Sequence, residues 1–183
     1  MNTALLIIDI QNDYFPGGNG ELTGSVEAAT NAARLLSAAR RAKWPIIHVQ
    51  HISTRQGAKI FIPGTPGVEI HKVVQPLPGE KIITKHYANS FRETGLHDLL
   101  RDAPIDHLFI GGMMSPMCID ATTRAAFDLG FTCTVAHDAC ATRDLAFKGV
   151  SVPARQVHAS FMAALSAVYA EVKSTDDILK DIE

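Results

Sequence analysis

Cysteine is scarce in this 183-residue chain: there are three, an odd number, with no C-x-x-C pair. That excludes a disulfide scaffold and fits a reduced, cytoplasmic setting. Long hydrophobic runs are missing as well. No stretch approaches the ~18–20 apolar residues of a membrane span, and the first apolar run, Ala4–Ile8, is too short for a signal-peptide core and meets Asp9 at once. Charge of one sign is nowhere concentrated. Seventeen basic and 19 acidic residues leave a net charge of −2 without a basic tract, so neither nucleic acid nor membrane is expected as a partner. Repeats, low-complexity linkers and the glycine or proline excess of fibrous and disordered chains are absent too.

What is there is 46% hydrophobic and 20% charged, enough for a core of its own, and residues 1–183 read as a single domain. Short apolar runs alternate with helix-periodic segments. Strands are expected at Ala4–Ile10, Pro45–His51, Lys81–Lys85, His107–Gly111, Phe131–Ala136 and Val168–Val172. Helices are expected from Ser25, as N-cap, to Lys43, near Thr94–Arg101, from Cys118 to Leu129, over Pro153–Tyr169, and from Ser174 or Thr175 to Lys180. The βαβα alternation predicts an α/β domain, a parallel sheet with helices on both faces. From His51 to Gly79 the rhythm breaks into a long proline- and glycine-rich loop, of the kind that covers sites or forms contacts.

Ligands of open α/β sheets bind beyond the carboxyl ends of the strands, and those ends hold a short list of reactive groups. Ser115-Pro116 reads as an N-cap followed by proline, which places Cys118 in the first turn of a helix, where the dipole and free N–H groups favour a thiolate. The alternative is a small buried hydrophobe. Asp9 closes an apolar strand, where a carboxylate is costly unless paired. Lys85 ends the third strand, either solvated or turned inward to adjust a neighbour's pKa. Together Cys118, Asp9 and Lys85 make a nucleophile and base set, although two intervening strand spacings of ~4.8 Å leave a gap that only a long side chain closes. Rival readings are weaker. His48 and His51 point to opposite faces of their strand, which argues against a shared metal. Cys140 has no helix start beside it and Cys133 reads as core. Gly111-Gly112 matches no phosphate loop, and His158 reads as structural.

The ordered set Leu5-Leu6-Ile7-Ile8-Asp9-Ile10-Gln11-Asn12-Asp13-Tyr14-Phe15, Pro63-Gly64-Thr65-Pro66-Gly67, Lys85 with Ser90-Phe91-Arg92-Glu93-Thr94, Gly112 with Cys118-Ile119-Asp120-Ala121-Thr122, Asp138-Ala139 and Thr175-Asp176-Asp177 resembles the isochorismatase-like cysteine hydrolases over nearly the whole chain. The resemblance implies a three-layer αβα fold with a six-stranded parallel sheet in the order 3-2-1-4-5-6. It also implies an Asp-Lys-Cys triad, which maps to Asp9, Lys85 and Cys118. A non-proline cis peptide is implied at Met114–Ser115, with the Met114 and Cys118 N–H groups as oxyanion hole, and so is a homodimer or higher oligomer. The metal-binding Asp-x-His set of nicotinamide-deaminating members is missing, so no metal and no cofactor is expected.

The function expected on these grounds is hydrolysis of a C–N bond in a small amide, urea or carbamoyl compound through a thioester. The alternatives are vinyl-ether hydrolysis giving pyruvate, as in isochorismatase, and a non-catalytic binding protein on the same fold. Gln11, Phe15 and Ser115 are the expected substrate contacts, with Phe61 and Ile62 as an apolar lid.

Overall fold

A computed structural model describes residues 2–182. In chain order the elements are β1 (Thr3–Ile8), α1 (Ser25–Arg41), β2 (Ile46–His51), β3 (Lys81–Lys85), α2 (Leu96–Asp102), β4 (His107–Met113), α3 (Asp120–Asp128), β5 (Thr132–Ala141), β6 (Leu145–Phe147), β7 (Val150–Val152), α4 (Ala154–Val168), β8 (Glu171–Lys173) and α5 (Thr175–Ile182). Six strands form one parallel sheet in the order β3-β2-β1-β4-β5-β8. With the hairpin strands β6 and β7 set aside, this is the expected order.

The central strand shows why the sheet is buried on both sides. Side chains alternate across a strand. Leu5 and Ile7 enter a core with Ala29, Ala32 and Leu36 of α1 and Ile178 of α5. Ala4, Leu6 and Ile8 face a second core, with Leu96 and Leu100 of α2, Ala126 of α3 and Leu165 of α4. A strand apolar on both faces is the signature of such a sandwiched sheet.

Several boundaries differ from the sequence expectations, each for a local reason. Strand β1 stops at Ile8 because Asp9 turns the chain with a positive φ of 52°. Helix α1 has Ser25 as its first helical residue, and the preceding position is Gly24 in left-handed conformation rather than a side-chain cap. At the last helix it is Ser174 whose hydroxyl accepts the Asp177 N–H, as a cap should. Strand β5 runs to Ala141, five residues beyond Ala136, and is followed by the unforeseen β6–β7 hairpin, too short to show a pattern.

Strands β1 and β4 press together where they end. Gly112 has φ 141°, and a Cβ there would stand 1.9 Å from the Ile8 carbonyl oxygen. Only glycine fits, and the close approach brings the ends of β1 and β4 side by side, with Asp9 after one and the Cys118 turn after the other.

Candidate active site

Asp9 is wholly buried, and its N–H donates to the Val49 carbonyl at 2.9 Å. Its positive φ is a conformation that aspartate tolerates better than most residues, and it carries the carboxylate off the strand line. Lys85 ends β3, two strands away. Its fully buried side chain crosses that distance: Nζ lies 2.9 Å from Asp9 Oδ2 and donates to the Ala88 carbonyl at 2.9 Å. The segment holding Ala88 is tied in turn to α3 by the 2.8 Å Ser90–Thr122 hydroxyl pair. Burial works against the Lys85 ammonium, but Asp9 and then Cys118 outweigh it and hold its pKa above the ordinary value.

Cys118 lies in a π-type turn, Ser115–Ile119, that leads straight into α3. The cap residue of that turn is Met114, and the hydroxyl of Ser115 is engaged elsewhere: it pairs with His158 Nδ1 at 2.8 Å and faces the Ala141 carbonyl. The cis peptide is Met113–Met114, one residue earlier than expected. The electrostatics also depart from the expectation of a ready thiolate. Burial pushes the Cys118 thiol up, Asp9 pushes the same way, and Lys85 only partly offsets them. A dipole at one helix start is a smaller effect than removing the group from water. These effects favour the thiol over the thiolate, so the chemistry calls for a nearby base to take its proton.

His51 completes the cluster. It ends β2, and one donor atom from each of Asp9, His51 and Cys118 lies within 4.8 Å of the others. His48, three residues earlier, faces away and binds Glu80 at 2.9 Å, so the two histidines do take opposite faces. The trio is an arrangement that could ligate a metal, but the Lys85 ammonium on Asp9 opposes a second cation there. Burial lowers the His51 pKa, with Asp9 opposing and Lys85 assisting.

His48, His71, His107 and His158 are also depressed by burial. A histidine held neutral in the fold takes up a proton more readily when unfolded, so stability is lost as pH falls through the unfolded value near 6.5. Melting temperature is therefore expected to fall between pH 7.5 and 5.5. A flat profile would contradict the burial of these rings.

Above the cluster opens a cavity of about 720 Å³, with Cys118, Met114, His51 and Tyr14 among its walls and Phe61 from the long loop. Burial chiefly, with the nearby Asp9 carboxylate acting the same way, pushes the Tyr14 hydroxyl well above its ordinary pKa. The loop is pinned by buried polar groups: Asp13 accepts the Phe61 N–H at 2.6 Å. Gln11 donates to the His51 and Val68 carbonyls and accepts from the His51 N–H.

These placements correct several expectations. Gln11 has spent its amide on backbone, Phe15 stacks on His71 with ring centroids 3.7 Å apart, and Ser115 is committed to His158 and Ala141. None of the three is among the cavity walls, and neither is Ile62, while Phe61 is. Cys140 lies inside β5 with its sulfur against the Ala136 carbonyl, its thiol pushed up to about 12 by burial. Cys133 is buried, as expected of a core residue. Sequence reasoning overlooked Tyr14, Arg55, Lys59, His86 and Arg143, which also line the cavity. His51 was visible as a strand end, but its part in the cluster depends on where Asp9 turns.

An isochorismatase domain profile matches residues 3–177. An uncharacterised isochorismatase family protein of Bacillus subtilis, YddQ, is 52% identical over 98% of this chain and 100% of its own. A streptothricin hydrolase of Streptomyces noursei is 38% identical over 82% of this chain and 60% of its own length. A maleamate amidohydrolase of Pseudomonas putida is 28% identical over 76% and 72%. A crystal structure from Oleispira antarctica superposes with a TM-score of 0.94 at 51% identity, over 98% of this chain and 96% of that one.

Proposed function

This chain belongs to the isochorismatase family, a family of hydrolases, and from that premise we propose that it is a cysteine hydrolase cleaving a C–N bond of a small amide, urea or carbamoyl compound through a thioester. The observation that carries the reading is the wholly buried Asp9–Lys85 ion pair beside a protonated Cys118 on the cavity wall. A buried ion pair adds little stability over an apolar substitute, so its place next to a nucleophile calls for a chemical reason.

In this reading Asp9 takes the thiol proton as the Cys118 sulfur bonds to the carbonyl carbon. The Met114 and Cys118 N–H groups receive the oxyanion. As the C–N bond breaks, Asp9 returns the proton to the nitrogen and an amine or ammonia leaves. Water then adds to the thioester with Asp9 again as base, which releases the acid and restores the thiol. Lys85 holds the Asp9 carboxyl group in position between steps through their 2.9 Å contact. His51, neutral and facing the same point, is placed to orient that water. The streptothricin and maleamate hydrolases among the relatives are consistent with amide chemistry on this scaffold.

The test is ammonia release from a panel of small amides, ureas and carbamoyl compounds, with and without chelator. Chelator-insensitive release is the expected result. Pyruvate release from isochorismate, with every amide left intact, would replace this reading by vinyl-ether hydrolysis.

A further inference from the structure

The walls of the cavity are charged in one sense only. Arg55 and Lys59 reach it from the loop after β2, and Arg143 from the segment after β5, while no aspartate or glutamate is among its lining residues. In a chain with more acids than bases, that is a segregation of charge. Among the described residues, none of these three cations makes an ion pair or a side-chain hydrogen bond, as is also true of surface cations such as Arg41, Lys72 and Arg155, and it is their convergence on one concavity without an acid that sets them apart. Three unpaired cations around one concavity repel each other and focus a positive field into it. An anion entering the cavity relieves that repulsion, and arginine offers carboxylates a planar, two-pronged donor.

The charge is also in the right place. Arg143 and Cys118 line the same cavity, with Tyr14 also among its walls, so the cationic wall and the thiol face one small volume. The cavity, at about 720 Å³, is far larger than urea or acetamide requires, in the range of sites for sizeable organic ligands.

The geometry points to a substrate that carries an anionic group, a carboxylate foremost, a few bonds from the carbonyl that Cys118 attacks, with Arg55, Lys59 and Arg143 as the anion subsite. This inference rests on the proposed amide chemistry for its carbonyl, but its anion preference can be read without any turnover.

Iodoacetate and iodoacetamide are nearly the same size and differ in charge. Alkylation of Cys118 by each is followed by mass spectrometry of its peptide, and the ratio of the two rates is compared with that for free N-acetylcysteine. The expected ratio favours iodoacetate at least tenfold more than the free thiol does. It collapses in the Arg55→Gln/Lys59→Gln/Arg143→Gln variant and shrinks with added salt. A second measurement needs no reactive thiol: calorimetric titration of Cys118→Ala with glutarate and with glutaramide. Binding of the dianion alone, lost in the triple variant, is expected.

A rate ratio equal to that of the free thiol, or a preference that survives the triple variant, would overturn the subsite, as would equal binding of glutarate and glutaramide. Anion preference without C–N cleavage of any compound would keep the subsite and remove the amidase reading. Cleavage of neutral amides with no anion preference would do the reverse.

Discussion

Lys85→Met is expected to lower the stability of the fold by about 3–5 kcal/mol, because it leaves Asp9 buried and charged without its counter-ion. Methionine keeps most of the aliphatic stem, so the lost packing is small and the electrostatic loss dominates. For a chain of this size that corresponds to a drop in melting temperature of roughly 6–20 °C. The companion variant Asp9→Asn strands the ammonium instead and should cost a similar amount. The decisive measurement is the double variant Asp9→Asn/Lys85→Met. It removes both charges, and it should be more stable than either single variant. Additive losses in thermal or urea melts would mean that the two groups do not share a buried field, which contradicts the 2.9 Å contact between fully buried side chains. All three variants should be inactive, so the triad raises no conflict between the stability and activity readings.

Cys118→Ala is expected to do the opposite: activity falls by about a thousandfold or more, while stability changes by less than about 1 kcal/mol. The catalytic side follows from the reading of the sulfur as the atom that bonds to the substrate, since removing a nucleophile deletes the covalent path and not just one contact. The stability side follows from the environment. Burial and the Asp9 charge both resist ionisation of this thiol, so it contributes to packing as a small neutral group, and alanine replaces all but one atom. The pair of measurements is chelator-insensitive ammonia release and a thermal melt on the same preparation. Full activity in Cys118→Ala would end the thioester scheme. Loss of activity together with loss of fold would instead make Cys118 a core residue.

Much of this architecture was legible in the chain alone. The run Ala4–Ile8 is apolar on both faces, and the regular spacing of strand and helix patterns leaves few alternatives to a parallel sheet covered on both sides. Asp9, Lys85 and Cys118 stood out because charged or nucleophilic groups at strand ends are costly there without a use. What stayed hidden involves short elements and long-range choices. The β6–β7 hairpin has three residues a strand, too few for a period to show. Gln11, Phe15 and Ser115 lie next to the right positions in sequence, yet backbone carbonyls, an imidazole and a neighbouring helix claimed their side chains.

Layer order and the candidates Asp9, Lys85 and Cys118 could be read locally, because hydrophobic period and residue type are properties that no folding step alters. Tertiary structure alone decided three things. It decided whether Lys85 could span two strands to Asp9, a question of side-chain reach across a sheet. It decided that the Cys118 thiol is pushed up and not down, because the degree of burial is set by everything packed around it. And it gathered Arg55, Lys59 and Arg143 from segments 84 residues apart, counted from Lys59 to Arg143, around one cavity, where their shared sign acquires a meaning that no stretch of sequence contains.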